Sequence, residues 1–219
     1  NVNKRSTDTI QFKDDFMGFG SMTCAGEKNW NFVNMLGTGI LTPSFQPARM
    51  GVAELISRTG VNDSSSIFLG GGAGVMDYEF VSQTRSFEAE FLFKIETGHE
   101  YYIGISNIPT GSAPNLDGFV GLHYSGSLNW NFLQDNGNPL DKISIDTNEL
   151  ADQSFHKLTI KNNSSGDWEL SLDDDEFIME EMENILLQNT PMTFSIQQKT
   201  IGANEARSFI DAFSLYAIR

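Results

Sequence analysis

Two glutamates, Glu88 and Glu90, stand two positions apart in the run Phe87-Glu88-Ala89-Glu90-Phe91-Leu92-Phe93-Lys94-Ile95. Side chains alternate across an extended chain, so both carboxylates project from one face, at a separation that lets a pair of acids flank a glycosidic bond. They are the candidate catalytic residues if the chain is an enzyme. The next residues on that face are Leu92 and Lys94. Continued by an apolar and a basic residue, the pair reads first as the wet side of an amphipathic strand, and the expectation is a protein that is not an enzyme.

A second constellation suits sugar binding, because a pyranose offers C–H patches to an aromatic ring and hydroxyls to amides and carboxylates. Trp130, Tyr124, His123, Asn129 and Asn131 lie close along the chain across a turn that contains Gly126, and they form the candidate ligand-binding set. The competing reading places these aromatics in a core, where sandwich aromatics usually pack. A third constellation suits a cation. Asp211 falls on the same alternation as Phe209, Phe213 and Leu215, and a carboxylate on the apolar side of a strand must find a cation or donors. Asp211 with Asp14 and Asp15 of the opening strand is the candidate structural Ca2+ site; a buried ion pair, with Arg207 as the candidate partner, is the alternative. The run Asp173-Asp174-Asp175-Glu176 lacks the alternating acids of an EF-hand loop and reads as a hairpin turn.

Other chemistries find little footing. His99, His123 and His156 sit in unlike contexts, with neither a nucleophile elbow nor metal-ligand spacing. The glycines of 70–74 run into neither Gly-Lys-Ser nor the Rossmann spacing. Cys24 is the single cysteine, so no internal disulfide forms, and it reads as an inert packed thiol. Lys and Arg number 14 against 29 Asp and Glu, a formal net charge of −15 that opposes approach to phosphate backbones and anionic membranes. Nucleic acid is thereby excluded as an expected partner. Nothing approaches the roughly 18 consecutive apolar residues of a membrane span, so no membrane insertion is expected. Asn62, Asn162 and Asn163 fit the glycosylation pattern, which is too short to decide anything. The chain opens on Asn1 rather than Met, as a processed form or an excised segment does.

The elements that must position these residues are strands. Short runs with a period of two recur from end to end, separated by Gly, Asn, Asp, Ser and Pro. Besides Phe87–Ile95, strands are expected at Thr9–Phe16, Val52–Arg58, Ser66–Leu69, Tyr101–Ser106, Gly118–Tyr124 and Leu128–Leu133. Four more are expected at Phe155–Lys161, Asp167–Asp173, Met192–Lys199 and Ser208–Ile218. The turn at 162–166 makes a hairpin of the runs on either side of it. Only Asp175–Leu187 has partly helical spacing, which predicts a strand end followed by a short helix or loop. Strands of one style flank the glycines of 70–74, so residues 1–219 read as one domain, with 1–8 as a flexible arm. The string Asn-Trp-Asn-Phe occurs at 29–32 and again at 129–132, and coincidence is the safer explanation.

A strand at Ser86–Phe91 is followed by Tyr102-Ile103-Gly104-Ile105-Ser106, Gly118-Phe119-Val120-Gly121-Leu122, Phe155-His156-Lys157-Leu158-Thr159 and the hairpin strand Trp168-Glu169-Leu170-Ser171-Leu172. This order resembles the concanavalin A-like sandwich family, which includes laminin G-like modules, legume-type lectins and laminarinase-type glucanases. The closing Phe209–Leu215 is similar to the last strand of carbohydrate-binding jelly rolls, and the same cadence resembles β-sandwich modules of tailed-phage virion proteins. The resemblance implies an all-β, antiparallel two-sheet β-sandwich, a jelly roll with one short helix at most. Laminarinase-type members carry acids at alternate positions of one strand, and only Glu88 and Glu90 match that pattern here.

The functional expectation is a non-catalytic virion or cell-surface module for adhesion, decoration or assembly, with weak glycan recognition. Its expected partners are glycans, other virion or surface proteins, or a second copy in a homo-oligomer. One alternative is a polysaccharide hydrolase or lyase using Glu88 and Glu90. Another is a purely structural coat component, whose apolar rim would include Phe45, Met50 and the loop 70–74.

Overall fold

Alternation decides the architecture. Along Phe87–Ile95 the odd-numbered side chains Phe87, Ala89, Phe91, Phe93 and Ile95 are buried, while Glu88 is exposed and Glu90, Leu92 and Lys94 are half-buried. One dry and one wet side per strand is what a two-sheet sandwich requires. A computed structural model shows that sandwich and describes residues 9–16, 19–21, 24–25, 30–69, 86–107, 118–135, 142–162, 168–173, 175–179 and 192–218.

In chain order the described strands are β1 (Thr9–Asp14), β2 (Phe19–Ser21), β3 (Cys24–Ala25), β4 (Trp30–Leu36), β5 (Gly39–Gln46), β6 (Arg49–Ser57), β7 (Ser64–Leu69) and β8 (Phe87–Ile95). They continue as β9 (Glu100–Asn107), β10 (Phe119–Tyr124), β11 (Asn129–Asp135), β12 (Ile143–Leu150), β13 (His156–Asn162), β14 (Trp168–Leu172), β15 (Asp175–Met179), β16 (Met192–Lys199) and β17 (Ala206–Ile218). An eight-stranded sheet runs β15-β14-β13-β8-β17-β6-β5, with β1 also paired to β17. The second, nine-stranded sheet runs β12-β11-β10-β9-β16-β7-β4-β3-β2. The described residues contain no helix. Asp175–Met179, the start of the segment expected to turn helical, is a strand paired antiparallel to β14; residues 180–191 lie outside the described residues, as do residues 1–8.

Between the sheets lies an aromatic core. Phe213 packs against Phe91 at 4.9 Å, Phe194 at 5.0 Å and Trp30 at 5.0 Å, mostly in tilted or edge-on geometry, the arrangement that ring quadrupoles favour. Trp30 and Trp130, from the two Asn-Trp-Asn-Phe strings, lie in β4 and β11 of the same sheet and both project into this core. Gln198 crosses the core as a polar tie. Its amide nitrogen donates to Leu55 O (3.2 Å), Ser57 Oγ (3.1 Å) and Ala206 O (2.9 Å), and its oxygen accepts from Ser208 Oγ at 2.8 Å.

One irregularity sets the face of a sequence-predicted residue. The pairing of β17 with β8 slips between Ile210 and Ala212, and such a bulge reverses the alternation beyond it. Ala206 and Ile210 face the core before it, Phe213 and Leu215 after it. Phe209 points the other way, under the Lys94 ammonium at 5.0 Å. Asp211 is the bulged residue and does not share a face with Phe213 and Leu215, contrary to the unbroken alternation that the sequence suggested.

Candidate functional site

The outward residues of β8 meet those of its neighbours in fixed rows. Glu90 lies opposite Ser214 of β17 and Thr159 of β13, Leu92 lies opposite Ala212 and Lys157, and Ser214 lies opposite Lys13 of β1. These rows bound a cleft of about 370 Å3 on the outer face of the eight-stranded sheet, lined by Lys13, Glu90, Leu92, Lys157, Ala212 and Ser214, with Phe91 and Phe213 beneath. Ser214 Oγ donates to Glu90 Oε2 at 3.1 Å. Leu92 and Ala212 make an apolar strip beside that pair. Of the two candidate acids only Glu90 lines the cleft; Glu88 is exposed, one row on, opposite Tyr216 and Lys161. Among the described lining residues there is therefore one carboxylate, not two.

The candidate sugar-binding residues divide between two faces. Tyr124 and Trp130 belong to the core, 3% and 0% exposed, 5.6 Å apart, with Trp130 edge-on to Phe93 at 5.5 Å. A ring enclosed in this way has no face left for a ligand, so the expectation that Trp130 and Tyr124 form a binding rim is corrected. His123, Asn129 and Asn131 alternate with them and project from the outer face of the nine-stranded sheet, His123 directly opposite Asn131. Asn129 Nδ2 donates to both carboxylate oxygens of Asp146 at 3.1 and 3.2 Å, and Asn131 Nδ2 donates to Asn129 O at 3.4 Å.

Beside them lies a knot around Glu100. Its carboxylate accepts from the Tyr102 hydroxyl at 2.6 Å and meets His123 Nε2 at 3.4 Å and Lys199 Nζ at 3.2 Å. The His123 and Tyr102 rings stack at 4.5 Å with 13° between their planes. The hydrogen bond from His123 is the foremost cause that holds the Glu100 carboxyl at about 2; those from Tyr102 and Lys199 help, and burial opposes them. Burial first, and then the bond to Glu100, pushes the Tyr102 phenol well above its ordinary value. Tyr102, His123 and Lys199 thus converge on the one Glu100 carboxylate.

No family model matches the chain, and no curated protein matches it in sequence. Solved structures do match it in fold. A protein of unknown function from Shewanella oneidensis MR-1 is similar with a TM-score of 0.65 at 15% identity, over 97% of this chain and 88% of that one. Peanut lectin is similar with a TM-score of 0.56 at 14% identity, over 96% and 97% of the two chains. A carbohydrate esterase of the Shiga toxin-encoding bacteriophage phi24B is similar with a TM-score of 0.51 at 13% identity, over 86% and 90%. The chain has the concanavalin A-like fold.

In this β-sandwich the three candidate calcium ligands have separate surroundings. The Asp211 carboxylate pairs with the Arg49 guanidinium, which also lies 4.1 Å over the Phe155 ring. Asp14 is buried and accepts the Phe16 N–H at 3.0 Å, and Asp15 is exposed. A hard cation needs six to eight oxygens, and no group of three or more His, Cys, Asp or Glu able to hold a metal occurs among the described residues. Of the two versions proposed for Asp211, the structure holds an ion pair, with Arg49 in the place suggested for Arg207. Arg207 instead serves Glu54 at 2.6 Å and Glu205 at 2.5 Å. His156 is held between Asp152, at 3.0 Å, and Asp173, and His99 is buried, with Nδ1 accepting the Ile201 N–H at 3.4 Å. Phe45 of the expected apolar rim is 88% exposed; the side chains of Met50 and Cys24 and the loop 70–74 lie outside the described residues.

The sequence reading missed Lys13, Lys157 and Ser214, which reach the cleft only because β1, β17, β8 and β13 are neighbours. It also missed Glu100 and Tyr102. Their spacing of two is the same signal that drew attention to Glu88 and Glu90.

Proposed function

We propose that this concanavalin A-like chain is a non-catalytic glycan-binding module displayed at a virion or cell surface, and that the cleft on its eight-stranded sheet is the binding site. The observation that carries the reading is the lining. Leu92 and Ala212 form a strip able to take the C–H face of a pyranose, and Glu90, Ser214, Lys13 and Lys157 stand around it to meet hydroxyls. A cavity of some hundreds of Å3 with a few placed polar groups is the usual form of a small-ligand site. Glycoside hydrolysis by the two-carboxylate route needs acids on both sides of the bond, about 5 to 9.5 Å apart; Glu90 as the one described acid of the cleft supports binding without cleavage.

A glycan array followed by calorimetry tests this. Leu92→Trp fills the strip and should abolish binding while leaving the melting temperature within a few degrees of wild type, and no reducing ends should appear from any bound polymer. Binding that survives Leu92→Trp, or no binding to any glycan, would sink the proposal. Reducing-end release that disappears in Glu90→Gln would convert the module into an enzyme.

A further inference from the structure

The geometry points to a second partner, a neutral lipid surface, met by one end of the sandwich and not by the cleft. Large apolar side chains exposed among the described residues crowd that end: Leu36, Ile40, Val61, Leu128, Leu150 and Ile201, with Val61 63% and Leu128 76% exposed. They stand on separate loops that the strand pairings bring together. Lys199 of β16 lies opposite Ser64 of β7 and Glu100 of β9, Tyr101 lies opposite Tyr124, Leu36 lies opposite Ser64, and Asn129 lies opposite Leu150. Residues 36–40, 59–62, 97–98, 125–128 and 201–204 therefore share one rim of the molecule. These loops are fastened to one another. The Asn62 N–H donates to Thr200 O at 3.0 Å and the Thr200 N–H to Asp63 O at 2.9 Å, which joins the Val61 loop to the Ile201 loop. A methyl group at Gly126 would come within 2.6 Å of Ile201 Cδ1, so that side chain lies over the turn that carries Leu128. Leu128 O in turn accepts the Ala151 N–H at 3.0 Å, beside Leu150. Apolar side chains grouped on bonded loops form a fixed surface feature, of the kind that marks a site of contact.

Charge decides what the end meets. Charged residues make up 20% of the chain and sum to −15, yet residues 36–40, 59–62, 97–98, 125–128 and 201–204 include none. A second copy, or a membrane rich in anionic lipid, would set negative charge against negative charge. Protein interfaces are anchored on Trp, Tyr and Arg, and these segments hold none of the three. Leu, Ile and Val are side chains that acyl chains accept, and a zwitterionic bilayer opposes no net charge to the −15 of the protein. Contact of this kind is peripheral, with side chains reaching only the boundary between headgroups and acyl chains. The cleft lies on the outer face of a sheet and not on this rim, so a protein seated on lipid keeps it open to a glycan.

Flotation with phosphatidylcholine vesicles tests this. Wild type should rise with the vesicles, and replacing a share of the lipid by phosphatidylserine should weaken its binding, an effect that added salt relieves. Val61→Ser and Leu128→Ser, both at exposed positions, should keep the wild-type melting temperature, and together they should lower partitioning at least tenfold. Phe45→Ser, at the other end of the sandwich and 88% exposed, should change nothing. Wild type left at the bottom of the gradient would overturn the inference, as would flotation that survives the double variant or falls equally in Phe45→Ser. Stronger binding to phosphatidylserine vesicles would overturn it too. So would a concentration-dependent dimer in light scattering that Leu128→Ser abolishes, since the end would then meet a second copy. Each of these failures leaves the glycan reading of the cleft standing, because glycan affinity is measured without lipid.

Discussion

The two outer faces of the sandwich use the same device to opposite ends. Each places an acid in a strand, with polar partners delivered by the neighbouring strands. Around Glu100 the partners close on the acid: a phenol, an imidazole and an ammonium all point at one carboxylate. Around Glu90 a serine hydroxyl meets the acid, and the pair borders the open cleft. A closed set contributes to stability, and an open one keeps donors and acceptors for a ligand. The richer cluster of polar residues is therefore the weaker candidate for function.

The contrast breaks first at Glu100. Glu100→Ala strands three donors on a partly buried face and should cost about 2–3 kcal/mol in chemical denaturation, with glycan affinity unchanged. A neutral result would mean that the knot is only a solvated contact. Glu90→Gln should do the reverse, losing about tenfold in affinity, equivalent to about 1.4 kcal/mol, while stability stays within about 0.5 kcal/mol. If unfolding shifts more than binding does, the roles of the two faces have been exchanged.

Acid sharpens the same comparison. Glu100 is held at about 2, below its ordinary value of 4.5, so its stabilising contribution is whole above that ordinary value and is lost as pH falls toward 2. Melting curves between pH 5 and pH 2 should fall more steeply for wild type than for Glu100→Gln; parallel curves would remove Glu100 from the account. The smallest effect belongs to Asp211. Its pair with Arg49 is partly exposed, with 14% and 32% of the two side chains accessible, and Asp211→Asn should cost about 1 kcal/mol or less. Chelation with EDTA should leave the melting temperature unchanged, and a drop would restore calcium.

The strands were legible because their alternation is strong: Phe87–Ile95, Trp168–Leu172 and Met192–Lys199 appear where the period of two places them. Gly39–Gln46 was not. That strand lies at an edge of its sheet and contains an exposed Phe45 and a Pro43, so its apolar period is broken. Tyr124 and Trp130 were grouped with His123 and Asn131 as a loop rim, although strict alternation already assigns them to the opposite face. The bulge at Asp211 was invisible, since nothing in Phe209–Leu215 marks where the pairing slips. The cleft could not be read at all, because strand order, and not strand sequence, brings Lys13 beside Ser214 and Lys157 beside Leu92.

The position of β17 in its sheet bears on how the chain reaches this state. It pairs with β8 along most of its length, with β6 through Ala206–Ile210 and with β1 through its final residues. As a nascent chain leaves the ribosome, β1, β6 and β8 emerge long before the strand that joins them. Their backbone edges wait unpaired until residues near 218 are made, and the closing contacts span about two hundred residues of sequence. Such non-local pairing is slow. Truncation before Ala206 should leave not a smaller sandwich but an aggregating chain.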